Sequence, residues 1–143
     1  MKIYIATPVA GSPNQRIYAD KALANLRERG FDAYAPWEMI IPHAWDYPNN
    51  EWAQMVFARD IAELEACDWL VLLSYGREST AGANWEAGYA YGRGKQILVV
   101  EMTSKPMSLM VSNGSWARVR GLDGLSKYDF DAAPFARTDT EQK

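Results

Sequence analysis

Glu86 and Asp60 are the residues of this sequence best placed to do chemistry. Glu86 is the one acid in STAGANWEAGYAYGRGK, residues 79–95, a stretch of glycines, alanines and aromatics that otherwise looks made for close packing. A carboxylate held among apolar neighbours and kept ionised is a nucleophile or an electrostatic stabiliser. Asp60 lies in FARDIAELEACD, residues 57–68. Two carboxylates facing one sugar are the apparatus of glycosyl transfer, and a separation of about 5 Å marks a retaining, double-displacement route. Spacing alone leaves plainer readings open. Glu86 also reads as a solvated first-turn helix glutamate. Asp60 also reads as a helix-surface acid paired with Arg59.

Composition narrows what these acids can act on. The chain has 143 residues, 48% of them apolar and 23% charged, which suits one globular domain with its own core. Its formal net charge is −3 and no Lys/Arg block exceeds a pair, which argues against nucleic acid or a membrane surface as the main partner. No apolar run approaches the ~20 residues of a membrane span, and the first residues lack a signal-peptide pattern, so a cytoplasmic protein is expected. Cys67 is the only cysteine and His43 the only histidine. That rules out an intrachain disulfide and a cluster of soft metal ligands, and the expectation is no metal and no cofactor. Cys67 reads as a small buried residue and His43 as a loop residue. Six tryptophans and eight tyrosines are rich for this length. They suit a ligand-stacking pocket, a core or a subunit interface.

The elements that must position the acids alternate regularly. KIYIA (2–6) reads as a first strand, followed by a Ser/Pro/Asn loop and a helix from about Pro13 to Arg29 that Gly30 stops. FDAYA (31–35) is a second strand, and residues 37–50 form a long loop. Residues 51–66 form a second helix, with Trp52, Met55, Val56, Ile61 and Leu64 inward. DWLVLLS (68–74) and QILVV (96–100) are apolar enough to be buried on both faces. Between them a helix spans 82–91. A short helix over 106–113 and a strand at ARVRG (117–121) follow, and the chain past Phe130 is polar. The expected fold is therefore α/β, a single domain with a five-stranded, mostly parallel sheet and helices on both faces, flavodoxin-like or Rossmann-like. Residues 1–131 form the domain and 132–143 a flexible tail. The ligand crevice of such a sheet lies where strand order reverses, here between strands one and three. The loops Thr7–Asn14 and Tyr75–Gly82 would border it, with Glu86 a turn beyond. Gly82 would let backbone approach a ligand, and Gly88 would let the helix pack closely on the sheet.

Four segments, in order and with matching spacing, make the chain resemble the nucleoside 2-deoxyribosyltransferase family over most of residues 2–130. They are KIYIA, EWAQMVFARDIAELEACDWLVLL, GANWEAGYAYGRGKQIL and KPMSLMVSNG. The resemblance implies Glu86 as the nucleophile, Tyr4 lying against it, Asp60 as the acid near the base, and Asn113 reaching a neighbouring subunit's site. It thus implies a homo-oligomer with a shared site and a deoxynucleoside or deoxynucleotide, with a free base, as the small-molecule partners. In one place the sequence departs from that pattern. Six residues before the nucleophile the transferases carry an aspartate, whereas this chain has Thr80. The related 2'-deoxynucleoside 5'-monophosphate N-glycosidases place a hydroxyl residue there, used on the phosphate. Ser12 and Arg16 are the only further candidates for a phosphate, in a loop that also reads as an ordinary helix start. The expected substrate-binding set is Thr7, Ser12, Thr80, Gly82 and Asn113. Transfer of 2-deoxyribose between bases is the first expectation and monophosphate hydrolysis the second. A nucleotide-binding module without turnover is a third reading.

Overall fold

A computed structural model describes residues 1–76 and 81–131. Strand β1 (Lys2–Ala6) lies between β2 (Asp32–Tyr34) and β3 (Trp69–Ser74). Beyond β3 lie β4 (Gln96–Glu101) and β5 (Ala117–Arg120). The order is β2-β1-β3-β4-β5, and every pairing is parallel. Strand order therefore reverses at the β1/β3 boundary, as the sequence reading requires.

Alternation along the strands divides the core into two layers. Ile3, Ile5, Val71, Leu73, Leu98 and Val100 point to one face. Ala22, Leu23 and Leu26 of α1 (Pro13–Glu28) and Leu125 of α5 (Gly121–Lys127) cover it. Tyr4, Ala6, Leu70, Leu72, Ile97 and Val99 point to the other. That face is covered by Leu64 of α2 (Asn49–Ala66) and by Ala83, Ala87 and Ala90 of α3 (Ala81–Gly92). Val111 of α4 (Leu109–Gly114) packs at its margin. All six residues of β3 are buried, which explains the near-continuous apolar run. Gly30, at φ +87°, takes the left-handed conformation that ends α1.

Several expectations need correction. The close contact of α3 with the sheet is made by its alanines. Gly88 is exposed, and an added Cβ there would meet nothing within 4 Å. The same holds for Gly82 among the described residues. On α2 only Leu64 is fully buried, and Trp52 is 43% exposed. The short helix α4 starts at Leu109 because Ser108 caps it, its hydroxyl oxygen accepting from the amides of Met110 and Val111. Helix α5 was not expected from GLDGLSK, whose two glycines oppose helix formation. Tertiary contacts hold it. Leu125 is wholly buried, and the guanidinium of Arg29 donates to the Leu125 and Tyr128 carbonyls. Residues 132–143, where a loose tail was expected, lie outside the described residues.

The aromatic residues divide between core and surface. Trp69 is buried, with edge-on contacts to Trp116, Tyr128 and Phe130. Trp45 is 98% exposed. Trp69→Ala should therefore cost about 3–5 kcal/mol of unfolding free energy, and Trp45→Ala less than about 0.5 kcal/mol. Urea titration of both variants checks the assignment, and similar losses would contradict it.

Candidate active site

The β1/β3 crossover brings both acids to one place. Tyr4, at the middle of β1, is wholly buried and faces the layer formed by α2 and α3. Its hydroxyl donates a hydrogen bond to Oε2 of Glu86. On the adjacent strand its register partner is Tyr34. The two rings pack at 5.3 Å between centroids, tilted by 38°. The Tyr34 hydroxyl donates to Oδ1 of Asp60 at 3.0 Å. Two neighbouring strands thus present two tyrosines, and each tyrosine holds one carboxylate from a different helix.

Burial sets the electrostatics. Withdrawal from water pushes the Glu86 carboxyl up to about 7. The Tyr4 hydrogen bond pulls against this, and the negative charge of Asp60 adds to it. This overturns the expectation that the α3 amide end favours an ionised Glu86. The helix begins at Ala81, so Glu86 is in its second turn, beyond the reach of the terminal amides. Asp60 is also raised, mainly by burial. The Tyr34 bond and the nearby Arg59 charge oppose the rise, while Glu63 reinforces it. Tyr4 and Tyr34 are raised well above the ordinary tyrosine range, first by burial and then by the acid each one faces. Both hydroxyls therefore stay protonated and remain donors.

The other expected site residues are dispersed. Thr7 follows β1 directly, and its hydroxyl donates to the Pro8 carbonyl at 3.1 Å. Ser12 is exposed at the N-cap of α1 and makes no side-chain cap bond. The Nε of Arg16 lies 3.2 Å from both carboxylate oxygens of Asp20. Gly82 is in the first turn of α3. Asn113 is on α4, and its amide donates to the Leu109 carbonyl at 2.8 Å. It lines a cleft of about 330 Å³ between α3 and α4, together with Ala87, Tyr91 and Met110. Thr80 lies outside the described residues. Cys67 is buried, its thiol pushed up to about 11 chiefly by loss of water. His43 lies in the long loop, its Nδ1 3.9 Å from Oδ2 of Asp46. Among the described residues no three His, Cys, Asp or Glu side chains group to hold a metal, and no helix is long and apolar enough to cross a membrane.

The sequence reading passed over Tyr34. Its signal was present: once β2 is placed parallel to β1, the alternation of FDAYA turns Tyr34 to the same face as Tyr4. Arg59 lies over the Tyr34 ring, 5.8 Å from its centroid, and pairs with Glu63 at 3.2 Å. Glu63 also meets Lys2 at 2.5 Å. Behind Tyr34, at the β2 edge, these charges and the bidentate Arg27–Glu38 pair line a polar cleft of about 510 Å³.

Comparison with known proteins agrees with this fold. The sequence model of the nucleoside 2-deoxyribosyltransferase family matches residues 3–131. A Thermofilum pendens protein bearing the name of a 2'-deoxynucleoside 5'-phosphate N-hydrolase is 28% identical over 123 residues, 84% of this chain and 82% of its own. A Lactobacillus johnsonii nucleoside deoxyribosyltransferase is 29% identical over 86 residues, 58% of this chain and 57% of its own. The solved structure of the 2-deoxyribosyltransferase of Bacillus psychrosaccharolyticus superposes with a TM-score of 0.81 at 25% identity, covering 95% of this chain and all of that one.

The raised Glu86 carboxyl has a consequence for stability. An unfolded glutamate titrates near 4.5 and the folded one near 7, so between these values the folded state binds more protons. Stability contributed by protonated Glu86 is complete below about pH 4.5 and is lost as pH rises to about 7. The stability of the wild type relative to Glu86→Gln should therefore fall across that window and level off above it. Denaturant unfolding of both proteins from pH 4 to 8 measures this, and a constant difference would refute the raised carboxyl.

Proposed function

The chain belongs to the nucleoside 2-deoxyribosyltransferase family, and we propose that it transfers 2-deoxyribose between nucleobases through a glycosyl-enzyme intermediate on Glu86. The observation that carries this reading is the half-buried pair of acids, each held by its own tyrosine. With Oε2 bound by Tyr4, Oε1 of Glu86 is the oxygen that attacks C1'. The new O–C1' bond forms as the C1'–N bond breaks, and that electron pair leaves with the base. Asp60 gives its proton to the departing base. An incoming base then attacks C1', returning a proton to Asp60 and freeing Glu86. A 2-deoxy sugar suits this step, because without the 2'-hydroxyl positive charge develops more easily at C1'.

The electrostatics support the division of labour. The negative charge of Asp60 raises the proton affinity of Glu86, which favours a state with one proton between the two acids. The reaction draws on the form of that state in which Asp60 holds the proton and Glu86 is ionised. In the acid range kcat/KM should fall as Glu86 takes up a proton, with a limb near pH 7.

Asn113 is proposed to complete the site of a neighbouring copy in a homo-oligomer. Large apolar side chains left exposed on α2, α3 and α4 support this, among them Trp52, Phe57, Trp85, Leu109 and Met110. Light scattering should give a mass well above the 16.1 kDa of one chain. A monomer at working concentration would refute the shared site.

A second reading, hydrolysis of a 2'-deoxynucleoside 5'-monophosphate, draws on the name of the Thermofilum relative and on Thr80. A threonine hydroxyl donates to a phosphate that an aspartate would repel. The first reading draws on the loop after β1, where the Arg16 side chain is engaged by Asp20 and Ser12 is exposed. Deoxynucleosides and their monophosphates should be compared as donors, with and without an acceptor base. Nucleosides with an acceptor should turn over faster. A strong monophosphate preference that Thr80→Asp removes would replace transfer by hydrolysis. In either case Glu86→Ala should lose several orders of magnitude in turnover, and retention of more than about a tenth would end the nucleophile assignment.

A further inference from the structure

The mechanism needs Asp60 to offer its proton in one direction, and a carboxyl free to rotate about Cβ–Cγ does not. We propose that Tyr34 is the positioning residue that locks Asp60, holding Oδ1 so that Oδ2 faces the crevice as the oxygen that protonates the leaving base. The proposal rests on the reading of Asp60 as the proton donor, but it concerns a residue outside the family resemblance described above.

The geometry comes from β2 and α2 together. Tyr34 is the last residue of β2, in register with Tyr4, and its ring is held between the Tyr4 ring and the Arg59 guanidinium. A ring clamped on two sides delivers its hydroxyl to a fixed point, and Oδ1 of Asp60 is 3.0 Å from it. Among the described residues no hydrogen bond is made to Oδ2. The hydroxyl donates to whichever form of the carboxyl presents an unprotonated Oδ1, so the proton of the acid form resides on Oδ2. Tyr4 does the same for Glu86 one strand away. The sheet thereby assigns an oxygen to each acid, one for attack and one for proton transfer.

The charged and titratable groups around Asp60 are Tyr34 on β2, Tyr4 on β1, Glu86 on α3, and Arg59 and Glu63 on its own helix. Of these, Tyr34 is the group hydrogen-bonded to Asp60, and its removal has two separable effects. The carboxyl loses its fixed orientation, which slows proton delivery. It also loses a donor that favours its ionised form, so it keeps its proton to higher pH.

The test uses Tyr34→Phe, which keeps the ring and its packing, beside Asp60→Asn. Two donors are compared: deoxyadenosine, whose base needs a proton to leave, and its N7-methylated purine counterpart, whose cationic base leaves without one. Tyr34→Phe should lower kcat on deoxyadenosine by about ten- to a hundredfold, leave the methylated donor within about threefold, and move the alkaline limb of kcat/KM upward. Asp60→Asn should show the same donor selectivity with a larger loss. Tyr34→Phe at wild-type rates while Asp60→Asn is impaired would overturn the role of Tyr34 alone. Equal slowing on both donors, or an unmoved limb, would also overturn it, leaving Tyr34 a packing residue. Wild-type rates in Asp60→Asn would overturn the proton-donor reading and this proposal with it.

Discussion

A carboxylate removed from water has to be held by a donor, and in this protein that requirement is met by one hydroxyl on β1. The bond from Tyr4 to Glu86 joins the middle of β1 to the second turn of α3. It exists only if the sheet order places β1 beside β3 and if α3 packs on that face through its alanines. An ionised buried glutamate without this donor would bear the full cost of desolvation and neutralise instead. The bond reduces that cost without removing it, and so leaves the carboxyl near neutrality, the range useful to a nucleophile that must also be stable in the folded protein.

The second acid repeats the arrangement at lower burial. Tyr34 and Asp60 are joined as Tyr4 and Glu86 are, and the two tyrosine rings touch. Parallel pairing brings this about, since register partners on adjacent strands point to the same face. The two helices contribute one acid each, and the two strands supply the donors. Around this centre the Lys2–Glu63 ion pair ties α2 to the start of β1, and the Arg59–Glu63 pair lies within α2. The apolar faces of α2, α3 and α4 that remain exposed lie outward from it.

Electrostatic coupling then links sites that packing brings close. Glu86 faces the charge of Asp60, and the hydroxyls facing the two acids are too weakly acidic in this environment to ionise. The proton inventory of the centre is therefore carried by the carboxylates, and one shared proton is the arrangement that least offends a low-dielectric surrounding. This differs from the situation at a helix terminus, where backbone amides would have favoured the ionised acid.

What the sequence determined by itself is the alternation of elements and the parallel sheet. Those follow from period-two and helical patterns and from apolar runs such as WLVLLS, which carry their meaning locally. It was also enough to place the crevice, because handed crossovers leave few strand orders open. Tertiary structure alone decided the rest. Helix α5 forms against its own weak propensity because Leu125 finds a buried seat and Arg29 ties its end. Gly88 looked like a packing residue, yet the close contacts fell to Ala83, Ala87 and Ala90, since helix rotation is set by the whole buried face. The direction in which Glu86 shifts, and the pairing of Tyr34 with Asp60, depend on burial and register between segments 26 and 82 residues apart. No local pattern encodes such distances, because desolvation and cross-strand register exist only after the chain has closed on itself.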